Sequence, residues 1–208
     1  MISLKQYGIE LKRVDNSDIE MIRQWRNAPE IRKTMAFRKK ISTSDQEKWF
    51  KKINNKLNYY FVILINDEPI GVINCKEVNE QEKYGEGGIF IGVEKYRGTP
   101  YPVFATLVLT DFIFNQLNYG DTSFIRTMDN NKIAQSYNRS LGYQLVPGQD
   151  SVRNQWYVLA KGVFNRKAKT LRKAAIIYSQ TSGELVVEGI DASNQIKELN
   201  DYLKSASS

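Results

Sequence analysis

The sequence GEGGIFIGV at positions 85–93 says more about the fold of this chain than any other stretch. In an extended strand, successive side chains point to opposite faces of the sheet, so Glu86, Gly88 and Phe90 share one face. A polar turn containing Arg97 and an apolar pattern of helical period at 101–117 follow directly. The stretch therefore predicts a central strand that leads through a tight turn into a helix.

The elements on either side of this strand alternate in type. Before it, the pattern predicts a strand at 8–14, two helices that begin with the capping-box spacing at Ser17 and Ser44, and a hairpin of strands 59–66 and 70–77. After it come a helix at 101–117, a strand at 122–128, a helix at 131–140 ended by Gly142, and short strands at 143–146 and 155–159. Because hairpins are mixed with βαβ crossovers, we predict an α+β fold with a mixed, mostly antiparallel sheet flanked by helices.

The composition changes beyond Phe164, where a basic, helix-favouring segment begins. A strand at 184–188 and a closing helix with Ile196, Leu199 and Leu203 in register are predicted in this part. We expect a main domain at 1–164 and a C-terminal α/β extension at 165–208.

The composition excludes several kinds of chemistry. Among 208 residues there is no histidine, which removes histidine bases, Ser-His-Asp systems and imidazole metal ligands. The single cysteine, Cys75, cannot build a disulfide or a thiolate zinc site within the chain, and we expect it to be buried in a protein of the reducing cytoplasm. We expect no metal site.

The charge of the chain points to an anionic partner. The formal net charge of +7 suits nucleic acid, an anionic membrane or a small ligand rich in phosphate. The N-terminus turns polar too soon for a signal peptide, and the longest apolar run, 59–65, is too short to span a membrane. No recognised nucleic-acid motif accompanies the charge, so we favour a small phosphorylated ligand in the cytoplasm and expect no nucleic-acid partner.

Three segments together resemble a known family over about residues 8–160. They are WRN at 25–27 with Ile31 and Arg32, GEGGIFIGV running into 96–98, and NKIA at 131–134 running to LGY at 141–143. The chain resembles the Gcn5-related N-acetyltransferases (GNAT), which move an acetyl group from acetyl-coenzyme A (acetyl-CoA) to an amine. The first two segments are most similar to the branch that acetylates amino-sugar nucleotides, and the ribosomal-protein and spermidine acetyltransferases share much of the pattern. The resemblance leaves a homodimer open.

The resemblance implies a site for the coenzyme. The family's Arg/Gln-x-x-Gly-x-Gly/Ala motif holds the pyrophosphate with backbone amides, but both glycine positions are prolines here, Pro100 and Pro102. Proline has no N–H, so two phosphate donors are missing. The amides that remain belong to Arg97, Gly98, Thr99, Tyr101 and Val103. The strand ending at 93 should splay from its neighbour, and the backbone near Gly92 and Val93 and the Asn131 amide are implied to bind the pantetheine arm. The other interpretations are an ordinary strand-helix turn and a helix N-cap at Asn131.

Amine acetylation requires a base for the amine and a proton for the leaving sulfur. Without histidine, the base is a carboxylate or a water chain, and Glu86 is our candidate, with Glu77 in reserve. The alternative is a solvated glutamate at a strand start. The family often places a tyrosine four residues before the glycine of LGY, where this chain has Asn138. Its neighbour Tyr137 is rotated by about 100° on the helix, and we keep both as candidates for the role of the acid.

The two early helices are implied to cover the acceptor. The candidate acceptor-binding residues are Trp25, Arg26, Asn27, Arg32 and Trp49. Aromatic faces suit a sugar or base and arginine suits phosphate, although both tryptophans could equally be core residues. We therefore expect an acetyl-CoA-dependent N-acetyltransferase acting on a primary amine, most plausibly an amino-sugar nucleotide. The alternatives are a protein N-terminal or polyamine acetyltransferase and a degenerate, non-catalytic binding module.

Overall fold

The computed structural model describes residues 2–79, 81–117 and 120–188. Nine strands lie in these residues: β1 (Ser3–Gln6), β2 (Ile9–Arg13), β3 (Tyr59–Ile65), β4 (Glu68–Asn79), β5 (Tyr84–Ile91), β6 (Thr122–Met128), β7 (Gln144–Leu145), β8 (Asn154–Ala160) and β9 (Val186–Glu188). The helices are α1 (Ile19–Asn27), α2 (Pro29–Arg32), α3 (Thr43–Ile53), α4 (Tyr101–Asp111), α5 (Lys132–Leu141) and α6 (Lys161–Ser179). The helix predicted around Leu199 lies outside the described residues.

The nine strands form one sheet in the order β7-β8-β6-β5-β4-β3-β2-β1-β9. Neighbouring strands pair antiparallel except β5 and β6, which are parallel and are connected through α4. The tight turn between β3 and β4 places Asn66 and Asp67 at positive φ, as a two-residue hairpin loop of type I′ requires. The predicted α+β fold with a mostly antiparallel sheet is confirmed.

Helices cover the sheet unequally. On one face, α4, α5 and α6 close the main core, in which Phe61, Leu107 and Tyr157 are fully buried. On the other face, α1 and α3 close a small second core of Val14, Ile22, Val62 and Val72. The acceptor-side helices therefore rest on a thin apolar layer, and space for a ligand remains beside it.

The start of the chain differs from the prediction. The strand β1 and the short helix α2 were not predicted, because four-residue elements carry too little periodicity to be read from a sequence. The capping box at Ser17 is wrong: Asp18 is the N-cap of α1 without a side-chain bond, and the Ser17 amide donates to Asp15. The box at Ser44 is also wrong, since Ser42 and Asp45 form it two residues earlier.

The helix α6 runs through the predicted domain boundary at residue 164. Its Phe164, Ala168 and Ala175 are buried in the main core, and Arg172 pairs with Asp111 at the end of α4. Further on, β9 pairs with β1 at an edge of the sheet. The division of the chain into 1–164 and 165–208 stays a prediction, and these contacts show that the C-terminal part shares the core of the N-terminal part. No helix in the described ranges is long and apolar enough to cross a membrane.

Candidate active site

The parallel strands β5 and β6 separate after a short paired stretch. Their register runs from Tyr84 opposite Thr122 to Gly87 opposite Ile125, and β5 continues to Ile91 without β6 beside it. The strands therefore open a V-shaped slot, as predicted. A cavity of about 1330 Å³ includes this slot and continues between α1, α3 and the sheet.

The backbone of β5 presents alternate residues to the slot. The amides of Gly92 and Val93 both donate to the carbonyl of Ile70 on β4, at 2.8 and 3.1 Å. In an antiparallel pair, alternate residues direct their N–H and C=O groups to the partner, so Ile89 and Ile91 face the slot instead. The amides of Gly92 and Val93 are therefore occupied by β4, and the binding of the ligand by backbone groups near these two residues stays a prediction. The sequence could not reveal this, since it does not show on which side of β5 the strand β4 lies.

The turn between β5 and α4 uses most of its own donors. The amides of Arg97 and Val103 donate to the carbonyls of Glu94 and Pro100, both at 2.9 Å, and the Thr99 hydroxyl donates to the Tyr96 carbonyl at 2.7 Å. The Arg97 guanidinium binds the carbonyls of Ile91 and Gly92 at 3.2 and 3.0 Å. Of the five predicted donor residues, these three are therefore occupied within the protein.

Two amides of this turn remain available to a ligand. Within the described part of the chain, the amides of Gly98 and Tyr101 have no acceptor, and Gly98 lines the cavity at φ +78°. Tyr101 does not line the cavity, although its amide lies at the N-terminus of α4, where the helix dipole favours an anion. The slot suits an extended pantetheine arm, and the turn offers fewer phosphate donors than the family motif.

Glu86 lies on the predicted face of β5 within a network of charges. Arg126 on β6 binds its two carboxylate oxygens at 3.0 and 2.9 Å, and Lys76 on β4 lies 3.2 Å from Oε2. A carboxylate has about four acceptor positions, so one position on Oε1 remains free. The sequence did not identify Arg126 or Lys76, because they come from strands on either side of β5.

Tyr137 and Asn138 both line the cavity and are both hydrogen-bonded within the protein. The Tyr137 hydroxyl donates to the Pro102 carbonyl at 2.9 Å and bonds the Thr106 hydroxyl, which ties α5 to α4. Burial raises the pKa of Tyr137 far above its ordinary value, so it keeps its proton at neutral pH. The Asn138 amide donates to the Thr127 hydroxyl at 2.9 Å.

Asn131 also lines the cavity and has a structural role. It is the N-cap of α5, and its side-chain oxygen accepts from the Ala134 amide at 3.1 Å. The alternative interpretation of this residue as a helix cap is confirmed. Its role toward the pantetheine arm stays a prediction.

The predicted acceptor residues separate into two groups. Arg26 and Trp49 line the cavity, and Trp49 packs edge-on against Tyr60 at a centroid distance of 5.3 Å. The indole of Trp25 does not line it: the ring packs on Gly92, where an added Cβ would lie 2.3 Å from Cδ2, and edge-on against Phe90. Trp25 therefore has the contacts of a packing residue, which was the alternative interpretation from the sequence.

Asn27 and Arg32 do not line the main cavity either. The Asn27 side chain exchanges two hydrogen bonds with the backbone of Ile41, at 2.8 and 2.9 Å, which fixes the loop after α2. Arg32 lines a separate shallow pocket with Pro29, Lys33 and Arg38. The resemblance placed both residues at the acceptor, and for these two, which lie outside the cavity, that role stays a prediction.

Cys75 is free and buried below the slot, as predicted. Burial and the nearby charge of Glu86 raise the pKa of the Cys75 thiol to about 12, so it is not a thiolate at neutral pH. Among the described residues there is also no group of three or more acidic or cysteine side chains placed to hold a metal ion.

Comparison with known proteins agrees with this site. The model of the acetyltransferase (GNAT) domain family matches residues 9–144, which is more than half of the chain. The chain belongs to this family, and it is an acetyl-CoA-dependent N-acetyltransferase. No curated protein matches it significantly.

Solved structures show the same fold at low sequence identity. The apo form of FdhC, a nucleotide-linked sugar GNAT, superposes with a TM-score of 0.68 at 22% identity and covers 83% of this chain and 97% of its own. Spermidine N-acetyltransferase from Vibrio cholerae, solved with CoA and spermine, has a TM-score of 0.66 at 15% identity over 76% of this chain and 98% of its own. RimL, a ribosomal L7/L12 alpha-N-protein acetyltransferase solved with CoA, has a TM-score of 0.64 at 13% identity over 74% and 94%. These three proteins differ in acceptor, so the likeness is one of fold.

Proposed function

We propose that the protein transfers the acetyl group of acetyl-CoA to the primary amine of a nucleotide-linked amino sugar in the cytoplasm. The observation that carries the proposal is Arg26, which lines the cavity and forms no ion pair with any described carboxylate. Burial lowers the pKa of Arg26, but a guanidinium still carries its charge at neutral pH. A half-buried cation that has no carboxylate partner and lies over the Phe90 ring, 5.8 Å from its centroid, suits the phosphate of such an acceptor.

The carboxylates of the cavity argue against a polyamine. Asp45 closes the capping box of α3, Glu30 lies 3.7 Å from Arg97, and Glu86 is held by Arg126 and Lys76. Each of these anions already has a partner, whereas a polyamine requires several unpaired ones. The cavity therefore favours an anionic acceptor over a cationic one.

The residues of the site support direct transfer without a covalent enzyme intermediate. Glu86 takes the proton of the attacking amine at the free position of Oε1, directly or through one water. The N–H groups of Ile89 and Ile91 in the slot polarise the acetyl carbonyl. As the amine nitrogen bonds to the carbonyl carbon, the carbon–sulfur bond breaks and CoA leaves as a thiolate. Tyr137 or Asn138 donates a hydrogen bond to the sulfur, and the proton that the sulfur gains comes from water.

Two measurements test this function. Calorimetry should show binding of acetyl-CoA, and thiol release should be fastest with one member of a panel of UDP-, dTDP- and GDP-linked amino sugars. We expect spermidine, a peptide with a free N-terminus and the free amino sugar to be at least tenfold poorer in kcat/KM. No heat with millimolar acetyl-CoA, or a preference for spermidine or the peptide, contradicts the proposal.

A pair of arginine variants tests the phosphate contact. Arg26→Met removes a charged hydrogen-bond donor and should raise the KM of the nucleotide-linked acceptor about ten- to a hundredfold. Arg32→Met is the matched control, because Arg32 lies outside the cavity, and it should leave this KM unchanged. Equal effects of the two substitutions contradict the role of Arg26.

A further inference from the structure

Gln46 on α3 holds a buried polar group that the protein itself does not satisfy. The residue is 4% exposed, and its Nε2 is buried without a hydrogen-bond partner. It lines the cavity opposite Arg26 and lies one helical turn before Trp49. The other such atom in the described ranges, Oε1 of Gln6, lies away from the cavity, and the Nε2 of Gln6 donates to the Gly183 carbonyl.

A second buried glutamine shows how this fold normally treats such a side chain. Gln135 on α5 is 3% exposed, and its Nε2 lies within hydrogen-bond distance of the carbonyls of Met128 and Asp129 and of Oε1 of Gln155. Most buried polar groups are paired in this way, because an unmade hydrogen bond costs stability. An unpaired donor of similar burial, on a side chain that lines a large cavity, is expected where a small rotation of the amide lets a ligand complete the bond.

The surroundings of Gln46 define what it can bind. Its cavity neighbours Ile22, Trp49 and Val72 are apolar or aromatic, and the unpaired positive charge on this side belongs to Arg26. A neutral amide in such a place selects an uncharged oxygen, since an anion is bound by Arg26 instead. We infer that Gln46 is a specificity residue, whose amide donates a hydrogen bond to a hydroxyl or carbonyl oxygen of the acceptor.

The inference rests on the proposed function only for the identity of the acceptor. The oxygen belongs either to the sugar or to the base, and both offer the same chemistry to the amide. A polyamine has no such oxygen, so Gln46 also argues for an oxygen-rich acceptor.

The first test uses the free protein and requires no acceptor. Gln46→Met keeps the length of the side chain and removes the unpaired donor, so it should raise Tm by about 2–6 °C. Gln135→Met is the matched control and should lower Tm, because it removes bonds that are made. A Tm of Gln46→Met at or below that of the wild type shows that the amide is already satisfied, and overturns the inference.

The second test measures acceptor binding. With the best nucleotide-linked amino sugar, Gln46→Met should raise the acceptor KM about three- to tenfold and leave the KM of acetyl-CoA unchanged. Inhibition by the matching free nucleotide (UDP, dTDP or GDP) shows whether Gln46 binds an oxygen of the sugar or of the base. Gln46→Met leaves the inhibition constant of the nucleotide unchanged if the oxygen belongs to the sugar, and raises it if the oxygen belongs to the base. An unchanged acceptor KM overturns the inference. If no amino sugar of the panel is acetylated, the proposed function is contradicted. The comparison of the Tm values of Gln46→Met and Gln135→Met then tests the inference about Gln46 by itself.

Discussion

Glu86 is the proposed base, and charged residues on both sides of its strand hold it in place. Its carboxylate joins three neighbouring strands, because Lys76 lies on β4 and Arg126 on β6. The network also holds Arg126 against Trp156, whose ring centroid is 4.7 Å from the guanidinium carbon. Such bonds fix the orientation of the carboxylate and leave one acceptor position for the incoming amine.

We expect Glu86→Gln to lower kcat by about 10²- to 10⁴-fold, the range that general-base catalysis supplies, with little change in acetyl-CoA affinity. The matched control is Glu77→Gln, which changes a neighbouring, solvent-exposed carboxylate whose oxygen is 3.9 Å from Lys76. Steady-state kinetics and thermal unfolding are measured on both variants. A lower Tm with wild-type kcat for Glu86→Gln would assign this residue to the ion-pair network alone.

Trp25 was expected from the sequence to bind the acceptor, but in the structure it packs against Gly92 and Phe90. Its indole lies against the backbone of Gly92, which no larger residue could replace without displacing the ring. We expect Trp25→Ala to lower the free energy of unfolding by about 2–4 kcal/mol, since it leaves a void beside Phe90, and to change the acceptor KM little. Gly92→Ala should act in the same direction by moving the ring. Denaturant unfolding and acceptor kinetics check both, and a tenfold rise in acceptor KM at unchanged stability contradicts this assignment.

The sequence predicted several residues that line the cavity, but it did not predict which residues they contact. Glu86, Arg26 and Trp49 line the cavity as expected, the first from strand alternation, the second from the WRN segment and the third from its place on the second early helix. Gln46 was missed, since its burial depends on how α3 packs over the sheet, and Ile89 and Ile91 were missed because backbone direction depends on both neighbouring strands. A pattern within one segment of sequence does not predict which residues on other strands or helices it will contact.

At the scale of elements, the turn before α4 departs most from the family. Pro100 is the N-cap of α4, with φ −68°, and its carbonyl accepts the amides of Val103 and Phe104. The proline therefore stabilises the helix start while it withholds an N–H from the ligand. The family motif supplies that N–H through glycine.

We expect Pro100→Gly to tighten acetyl-CoA binding. An added N–H to a charged oxygen contributes about 1.5–3 kcal/mol, and glycine loosens the free turn by about 0.4–1 kcal/mol, so the net gain is about two- to eightyfold in Kd. Pro102→Gly is the control and should change Kd less, since proline suits the first helical turn. Calorimetry measures both, and equal or weaker binding by Pro100→Gly shows that the diphosphate lies elsewhere.

The elements themselves were predicted where periodicity is long and clear. The strand β6 (Thr122–Met128) and the αL cap at Gly142 match the prediction, because β-branched and aromatic residues fill the strand and a glycine follows the helix. Both capping boxes were misplaced, since several Ser and Asp residues near each helix start offer the same spacing. The position of the loop before each helix in the folded protein determines which of these residues caps the helix.

At the scale of the whole molecule, the C-terminal part completes the core that supports the slot. The ring of Tyr178 packs edge-on against Phe104, Ala168 and Ala175 are buried, and Nε of Arg172 donates to Asp111 at 2.9 Å. The change to a basic composition near residue 165 suggested a boundary, but it reflects the exposed face of α6, whose opposite face carries the buried alanines. Composition alone does not distinguish an appended segment from an amphipathic helix of the same core.

We therefore expect a chain that ends after residue 164 to fail to fold on its own. It loses most of α6 and the pairing of β9 with β1, which contact Phe104 and Leu4 respectively. Because a domain is stabilised by only about 5–15 kcal/mol, the loss of these contacts removes a large part of the folding free energy. Circular dichroism and thermal unfolding compare this chain with the full-length protein and with Ala175→Glu, which places a charge in the same core and should also lower Tm strongly. A cooperative transition of the 1–164 chain at the full-length Tm would instead establish residues 165–208 as an independent extension.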